Sequence, residues 1–441
     1  MAASLGLAGN LSAILKEFYL GPVQEQLNNE MLVLQTMEKS TVDWNGRVAI
    51  LPVHLDRNVG VGFRAEGGTL PVAGQQDYDR LQVHAAFLYG RFQITGPAMS
   101  SAGKGGANSF IGWVDAEMNK LVTDVKNLAD EEMISGGRVL GYINEHEDKA
   151  ANPRTYEFFG NIEKLETFRA AVLAVAGNEI LISITRMDTY APVAVGLTVT
   201  STDVAARTFT LENIAGNDVD LTVLPAGVAC AIMIDATQAT AAEEAVTDVL
   251  GNEPVGVFGN LGLASHFGVD RTTATGAAAL QSNCLTMSVA GLHPRADIGL
   301  TRIQGVLDEV LVNSGKEPNV ILMNPVQRQK YAALFQLTAS VVSQQVSGEK
   351  ATNLNGGFTG LAYGNLPIKT SRHVPNGGLI FMSTPSWKLL ELEGHAFADI
   401  DGDVLLRVAN QDSYEGYYRW YYNTVTTNPN QNAILAGLTL V

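Results

Sequence analysis

The chain has 441 residues, of which 46% are hydrophobic and 17% charged, so it can bury a sizeable core and is not composed like a disordered protein. Its length suffices for two or more cores, although one segmented subunit is equally compatible. Forty-five acidic against 29 basic residues give a formal net charge of −16. This argues against a nucleic-acid-binding protein, which needs a basic face to displace phosphate counterions.

The cysteines and the N-terminal residues bear on the cellular compartment. Only Cys230 and Cys284 occur, without a partner motif, so reduced thiols rather than a disulfide framework are expected. Residues 1–20 lack a basic stretch followed by an apolar one, and no window approaches the ~20 apolar residues of a membrane span. We therefore expect a protein that is made and stays in the cytosol, with no membrane partner.

The N-terminal third of the chain predicts an arm followed by a long β-ribbon. Residues 5–39 have short amphipathic periods interrupted at Pro22, and this arm lies either on its own subunit or across a neighbour. Strands are predicted at residues 47–55 and 81–95, separated by a glycine-rich connection. One face of the second strand is expected to carry Leu81, Val83, Ala85 and Phe87. A two-stranded ribbon that projects ~30–50 Å is poorly stable alone, which favours assembly onto another surface.

Residues 108–135 have the clearest helical period, with Asn108 or Ser109 as the cap and Gly136-Gly137 as the stop. At 1.5 Å per residue this helix is about 40 Å long. Its polar side includes Asp115 and Glu117, so only one face is expected to be buried.

Downstream of this helix, β-segments come first and a mixed pattern follows. Residues 179–235 contain short β-segments with the spacing of a small sandwich or barrel. Helices are predicted at 296–313 and 327–337, and strands at 319–323, 360–368, 379–382, 387–392, 405–408 and 433–441. The aromatic cluster at 414–422 is interpreted as core or interface packing rather than as a sugar or base-stacking platform.

Motifs for catalysis or cofactor binding are incomplete. The stretch from Gly60 to Ala65 nearly fits a dinucleotide fingerprint, but no helix is predicted after it, and residues 102–106 lack the full phosphate-loop spacing. The acidic cluster Asp399-Ile-Asp-Gly-Asp403 lacks the downstream glutamate of an EF-hand loop. The seven histidines show no metal spacing. We therefore predict no enzyme, no cofactor, and no catalytic, cofactor-binding or metal residues.

The order of these elements resembles the major capsid proteins of tailed bacteriophages, whose shared fold is named for a Hong Kong coliphage. The ribbon with its tip Ala65-Glu-Gly-Gly-Thr-Leu-Pro71 is similar to the extended E-loop of that family, and residues 108–135 to its long spine helix. Further similar phrases are Gly268-Val-Asp-Arg271, Asn324-Pro-Val-Gln-Arg-Gln-Lys-Tyr331, Leu361-Ala-Tyr-Gly-Asn-Leu-Pro-Ile-Lys369, and the ending from Asp412 through Asn428-Pro-Asn.

This resemblance implies an α+β phage capsid fold in five parts. They are an N-terminal arm (1–45), the E-loop hairpin (46–100), a P-domain with the spine helix (101–184), an inserted β-subdomain (185–245), and an A-domain with returning P-domain strands (246–441). The glycines at 67–68 and at 96–106 are the hinges it suggests for a maturation movement.

The function that the resemblance implies is self-assembly, as pentamers and hexamers, into an icosahedral head shell that encloses double-stranded DNA without sequence-specific binding. Portal protein is an expected partner, with scaffolding or decoration proteins as further ones, and the virion is the expected location after assembly in the host cytoplasm. The expected interface residues are Phe63, Arg64, Glu66, Gly67, Gly68, Leu70, Trp113, Asp115 and Glu117.

Four other functions stay open at this point. An encapsulin-type cellular compartment would use the same fold, although the inserted β-region counts modestly against it, and a phage tail subunit would form tubes instead of closed shells. An α/β enzyme using the glycine-rich loop lacks site chemistry. A carbohydrate-binding module built on the β-insertion would show itself by binding soluble glycans.

Overall fold

The computed structural model describes residues 32–39, 44, 46, 48–97, 107–145, 154–176, 181–213, 228–234, 253–273, 280–286, 296–339, 361–399, 405–408 and 410–440. Within helices and strands, the side chains of some of these residues, including 107–116, also lie outside the description. The predicted strand at 219–223, the acidic turn beyond Asp399 and the joint at 98–106 fall outside it as well.

A five-stranded sheet with a helix across one face forms the centre of the fold. Its strands are β1 (Glu38–Lys39), β4 (Ala86–Thr95), β18 (Trp387–Phe397), β19 (Leu406–Arg407) and β20 (Ser413–Thr426). Strand β20 is central: it pairs antiparallel with β4 on one side, and with β18 and β19 on the other. Helices α1 (Leu32–Thr36) and α2 (Ala107–Ser135) contact each other, and α2 also contacts β4 and β20.

The approach of α2 to the sheet depends on Gly90 in β4. A Cβ atom at this position would lie 2.7 Å from Cγ2 of Val125, closer than real side chains approach. The helix occupies the predicted span within one residue, and Gly137, with φ of +86°, supplies the predicted left-handed stop.

The ribbon consists of β2 (Val48–Asp56), β3 (Asp77–His84) and the connection 57–76, which we call the ribbon tip. The inner face of the two strands packs on the body through a cluster containing Leu51, Leu81, Val83, Leu390 and Val425. The prediction that Phe87 shares this face is wrong. The strand is broken at Ala85, so the alternation resumes one residue out of step, with Ala86 buried and Phe87 exposed.

A closed six-stranded barrel contains the β-rich region. Its strands are β5 (Val139–Glu145), β6 (Arg154–Gly160), β7 (Leu181–Arg186), β8 (Pro192–Asp203), β9 (Thr208–Asn213) and β10 (Cys230–Ile234), in the order β10-β5-β6-β9-β8-β7. Helix α3 (Ile162–Ala176) adds Ile162 and Leu165 to the barrel core. Strands β5 and β6 precede residue 185, where the sequence placed the start of the insertion. They are nevertheless part of the barrel, because β5 pairs with β6 and with the distant β10.

A second, six-stranded sheet carries two helices and completes the fold. Its strands are β13 (Asn283–Thr286), β14 (Val320–Met323), β15 (Leu361–Tyr363), β16 (Leu366–Thr370), β17 (Leu379–Met382) and β21 (Ala433–Ala436), in the order β13-β21-β17-β14-β16-β15. The helices are α5 (Leu300–Ser314), which ends at the left-handed Gly315, and α6 (Pro325–Ala339).

Short elements connect these layers. Helix α4 (Val257–Gly262) is followed by the small hairpin β11 (Ser265–His266) and β12 (Val269–Asp270). Two 3-10 turns, Thr384–Ser386 and Pro429–Gln431, precede β18 and β21. The mixture of helices, sheets and a barrel confirms the predicted α+β class.

Candidate assembly surfaces

The ribbon tip exposes its apolar side chains. Phe63 is fully exposed, and Val59, Val61, Leu70 and Val72 of the same segment are exposed as well. No helix or strand occurs between residues 57 and 76, so the near-fingerprint at Gly60 has no helix N-terminus to present to a phosphate. An exposed apolar segment of this kind is typical of a surface that a partner covers.

A tight turn closes the far end of the ribbon tip. The amide of Gly68 donates to the carbonyl of Ala65 at 2.9 Å, and Gly67 has a φ of +75°, which only glycine adopts easily. Arg64 and Glu66 are exposed beside this turn. The tip residues predicted from the sequence are therefore close together at the end of the ribbon, available to a second molecule.

The predicted interface residues of the long helix are not all described. The side chains of Trp113 and Asp115 lie outside the described part of the structure, whereas Glu117 is exposed. Further along α2, Val125, Ala129 and Met133 are buried against the sheet and the body. The prediction of a single buried face holds only in part, because Leu128 is exposed and the last turns also bury Asp130, Ile134 and Ser135.

The outward face of the central sheet carries an aromatic patch that the sequence did not indicate. Phe87 and Tyr421 meet edge to face with ring centroids 5.0 Å apart, and the hydroxyl of Tyr89 donates to that of Tyr421 at 3.0 Å. This hydrogen bond and burial raise the pKa of Tyr89 to about 12. On the opposite face Tyr418, Trp420 and Tyr422 are buried, which confirms core packing for half of the six aromatic residues at 414–422.

Arg271 ends one of the phrases that resemble the capsid family, and it is fully buried. Its guanidinium donates to the carbonyls of Asn260, Leu261 and Leu263 at 2.5, 3.0 and 3.1 Å, and it lies 5.5 Å from the ring centre of Tyr190. A cation at the carboxyl end of helix α4 satisfies carbonyls that the helix leaves unpaired. This residue has a structural role.

In or just after two of the other three phrases, buried amides tie loops together. Asn324 donates to the carbonyl of Val374 at 2.8 Å and accepts from the amide of Val326 at 3.1 Å, at the start of α6. Asn432, just after the Asn428-Pro-Asn turn, accepts from the indole of Trp387 and the amide of Ser383, both at 2.8 Å. Such fully paired polar groups specify one arrangement of the core.

A buried charged cluster joins the barrel to the end of the long helix, and the sequence did not indicate it. The ammonium of Lys164 on α3 lies 3.0 Å from a carboxylate oxygen of Glu132 and also contacts Glu253. Burial raises the pKa of Glu253 to about 7, since the nearby Lys164 offsets only part of the desolvation and Glu132 adds repulsion. Burial works against ionised Lys164, but the two carboxylates outweigh it and raise the pKa of the ammonium.

The described residues contain no cluster of histidine, cysteine, aspartate and glutamate that could hold a metal ion, and none of their helices is long and apolar enough to cross a membrane. Cys230 and Cys284 are buried free thiols, and burial raises the pKa of both. A cavity of about 400 Å³ beside α3 is lined by side chains of both charges, including Arg207, Arg372 and Glu163. Its lining matches no particular ligand.

Comparison with known proteins identifies the fold. No family model matches the chain, and no curated protein matches it. Among solved structures, the Cyanophage A-1(L) capsid asymmetric unit is 9% identical, with a TM-score of 0.52 over 96% of this chain and 97% of that chain.

Two further shell proteins show weaker similarity. The capsid of the native GTA particle is 10% identical, with a TM-score of 0.48 over 99% of this chain and 100% of that chain. The holo-SrpI encapsulin complex from Synechococcus elongatus is 8% identical, with a TM-score of 0.46 over 98% of this chain and 96% of that chain.

The similarity to the cyanophage capsid extends over nearly the whole of both chains, and at this identity it establishes the fold and nothing more specific. The chain therefore has the fold of phage capsid shell proteins, as the sequence resemblance predicted.

Proposed function

We propose that this chain is a major capsid protein, which assembles through pentamers and hexamers into an icosahedral head shell enclosing double-stranded DNA. The observation that carries the proposal is the ribbon, which holds an apolar tip away from the body of a subunit with a capsid fold. A partner has to cover that tip, and a second copy of the chain is the partner that a closed symmetrical shell provides.

In this proposal the ribbon tip is the main contact with the neighbouring subunit. Phe63 and Leu70 would supply apolar contacts, Arg64 and Glu66 would pair with charges on the neighbour, and the turn at Gly67-Gly68 would keep the tip in shape. Trp113, Asp115 and Glu117 of α2 would form a second contact. Many modest contacts of this kind, repeated by symmetry, give a stable shell from a weakly associating subunit.

The charge of the chain fits a container for DNA. A net charge of −16 disfavours tight binding of the packaged phosphate backbone to the shell wall. Portal, scaffolding and decoration proteins are the further partners that such a head would use. The proposed location is the virion, after assembly in the host cytoplasm.

The test uses electron microscopy and size-exclusion chromatography of the purified full-length chain. The wild type is expected to form closed shells, whereas the Phe63→Asp/Leu70→Asp double variant is expected to stay folded but unassembled, because it places charge in the contact. Val195→Asp is the matched control, since Val195 is a 60% exposed apolar residue on the barrel, away from the tip.

Two results would contradict the proposal. Normal shells from the double variant would show that the tip is not a contact, and tubes formed by the wild type would indicate a tail subunit. Particles purified from the natural source separate the remaining alternatives. Nuclease-protected double-stranded DNA supports a phage head, and an enclosed cellular protein in its place supports an encapsulin-type compartment.

A further inference from the structure

Residues 253–256, which we call the strap, lie in direct backbone contact with the end of the long helix. The amide of Gly256 donates to the carbonyl of Gly136 at 3.3 Å. A Cβ atom on Gly256 would lie 2.6 Å from the carbonyl oxygen of Glu132, and one on Gly136 would lie 2.3 Å from that of Pro254. Two glycines therefore let two backbones meet where no other residue would fit.

The opposite side of the strap is held by strand β20, and one side chain there also holds the ribbon. The side-chain oxygen of Asn423 accepts from the amide of Val255 at 2.9 Å. Its side-chain nitrogen donates to the carbonyl of His84 at 2.6 Å, at the residue where β3 ends. Asn423 thus contacts the strap with one end of its amide and the base of the ribbon with the other.

A buried ion pair fixes the near end of the strap to the helix. The ammonium of Lys164 donates to the carboxylate of Glu132 at 3.0 Å and to the carbonyl of Ser135 at 3.1 Å, and it contacts Glu253 of the strap. Glu253 in turn accepts from the amide of Gly137 at 3.0 Å. The side chain of Lys164 is only 8% exposed, so moving the strap away would leave this buried ammonium paired with Glu132 alone.

Besides the apolar packing of its inner face, the ribbon base makes a further backbone hydrogen bond to the body near Asn423. The amide of Gln82 donates to the carbonyl of Phe267 at 2.8 Å, and Phe267 lies in the hairpin that follows the strap and helix α4. Both attachments therefore lead back to the chain segment that begins at the strap. Movement of the ribbon base has to stretch or shift contacts that this segment makes.

We propose that the strap couples the base of the ribbon to the carboxyl end of the long helix, so that the two move as one. Asn423 and Glu253 are the positioning residues of this coupling. Because the strap is held by hydrogen bonds on both sides and by close backbone contact, a shift on one side strains the contacts on the other. The inference concerns the single subunit and does not depend on the proposed assembly.

Amide hydrogen exchange of the full-length, unassembled chain tests the coupling. Asn423→Ala removes the hydrogen bonds of this side chain to the strap and to the ribbon base. Glu253→Gln weakens the ion pair at the helix side while keeping the size of the side chain. We expect Asn423→Ala to speed exchange at Gly137 about fivefold or more, and Glu253→Gln to do the same at the ribbon-base amides of residues 82–86, since coupling is reciprocal. In the double variant, exchange at each of these sites should speed up by less than the product of the two single-variant accelerations.

Gln93→Ala is the matched control. Gln93 also makes a side-chain amide contact within the central sheet, to Ser413 at 2.8 Å, but it does not contact the strap. This variant should leave exchange at Gly137 unchanged. Faster exchange confined to the immediate neighbours of each substituted residue would overturn the proposal, whether or not the protein assembles into shells.

Discussion

The ribbon and the barrel are both built from short antiparallel strands, yet they treat apolar side chains in opposite ways. The barrel closes on itself, so each of its six strands has two neighbours and its core is made of its own residues. The ribbon has two strands, packs one face on the body, and leaves the apolar side chains of its tip in solvent. A closed sheet can stabilise itself, whereas a two-stranded one depends on what it touches.

This difference separates two kinds of function within one chain. The barrel can contribute to a shell only through its outer surface, because its interior is filled. The ribbon tip, unlike the buried inner face of its strands, contributes little to the stability of its own subunit, so its apolar side chains are available for the contacts proposed above. Substitutions in the two regions should therefore change different measurable quantities.

The largest expected effect is the difference in unfolding free energy between substituting a phenylalanine of the barrel and one of the ribbon tip. Phe209 is 1% exposed and packs on Tyr156. Phe209→Ala should lower the free energy of unfolding by about 3–5 kcal/mol, because apolar burial is lost and a cavity is left behind. Phe63→Ala should change that free energy by less than about 0.5 kcal/mol. Urea unfolding followed by circular dichroism measures both. Equal costs would show that the tip is packed on its own subunit.

The charged contact that joins the barrel to the long helix should make stability depend on pH. Glu253 has a pKa of about 7 in the folded chain and an ordinary value of 4.5, so the folded state holds a proton between these values that the unfolded state has lost. Its contribution to stability is therefore present below pH 4.5 and falls as the pH rises to 7, by up to about 2–3 kcal/mol.

Denaturant unfolding at pH 5 and at pH 8 tests this sign. The wild type should lose more stability than Glu253→Gln between the two values, because glutamine does not titrate and leaves Lys164 paired with Glu132 alone. Carboxyls outside this cluster affect both proteins equally, so the comparison reports on Glu253 together with Glu132, which shares Lys164 with it. An equal loss in the two proteins would mean that Lys164 keeps Glu253 ionised throughout this range.

The parts of the fold that the sequence predicts well are those with a strong local period. The long helix and the strand at 379–382 have the predicted bounds within one residue, because alternation and helical spacing depend on neighbours along the chain. The tip turn was equally visible, since Gly67-Gly68 is a local signal. One break at Ala85 was enough to reverse the face of every later residue in the strand.

The parts that sequence reasoning missed depend on distant partners. Helix α3 has no clear amphipathic period, and of its described side chains Ile162 and Leu165 enter the barrel core. The partners of Lys164 are 32 and 89 residues away along the chain. Nothing near Lys164 distinguishes it from a solvated lysine. The same applies to Asn423, whose contact with His84 spans 339 residues.

The smallest expected effect compares two glycines that have the same backbone conformation in the two kinds of environment. Gly137 and Gly67 have φ values of +86° and +75°, and neither has an atom that would obstruct a Cβ. At the buried end of the long helix, Gly137→Ala should cost about 1–2 kcal/mol, because the amide bonded to Glu253 holds the strained conformation in place. At the exposed tip, Gly67→Ala should cost less than about 0.5 kcal/mol, because the turn can relax into solvent. Thermal or urea unfolding of the two variants measures the difference, and equal costs would mean that the unassembled subunit already holds its tip as rigidly as its body.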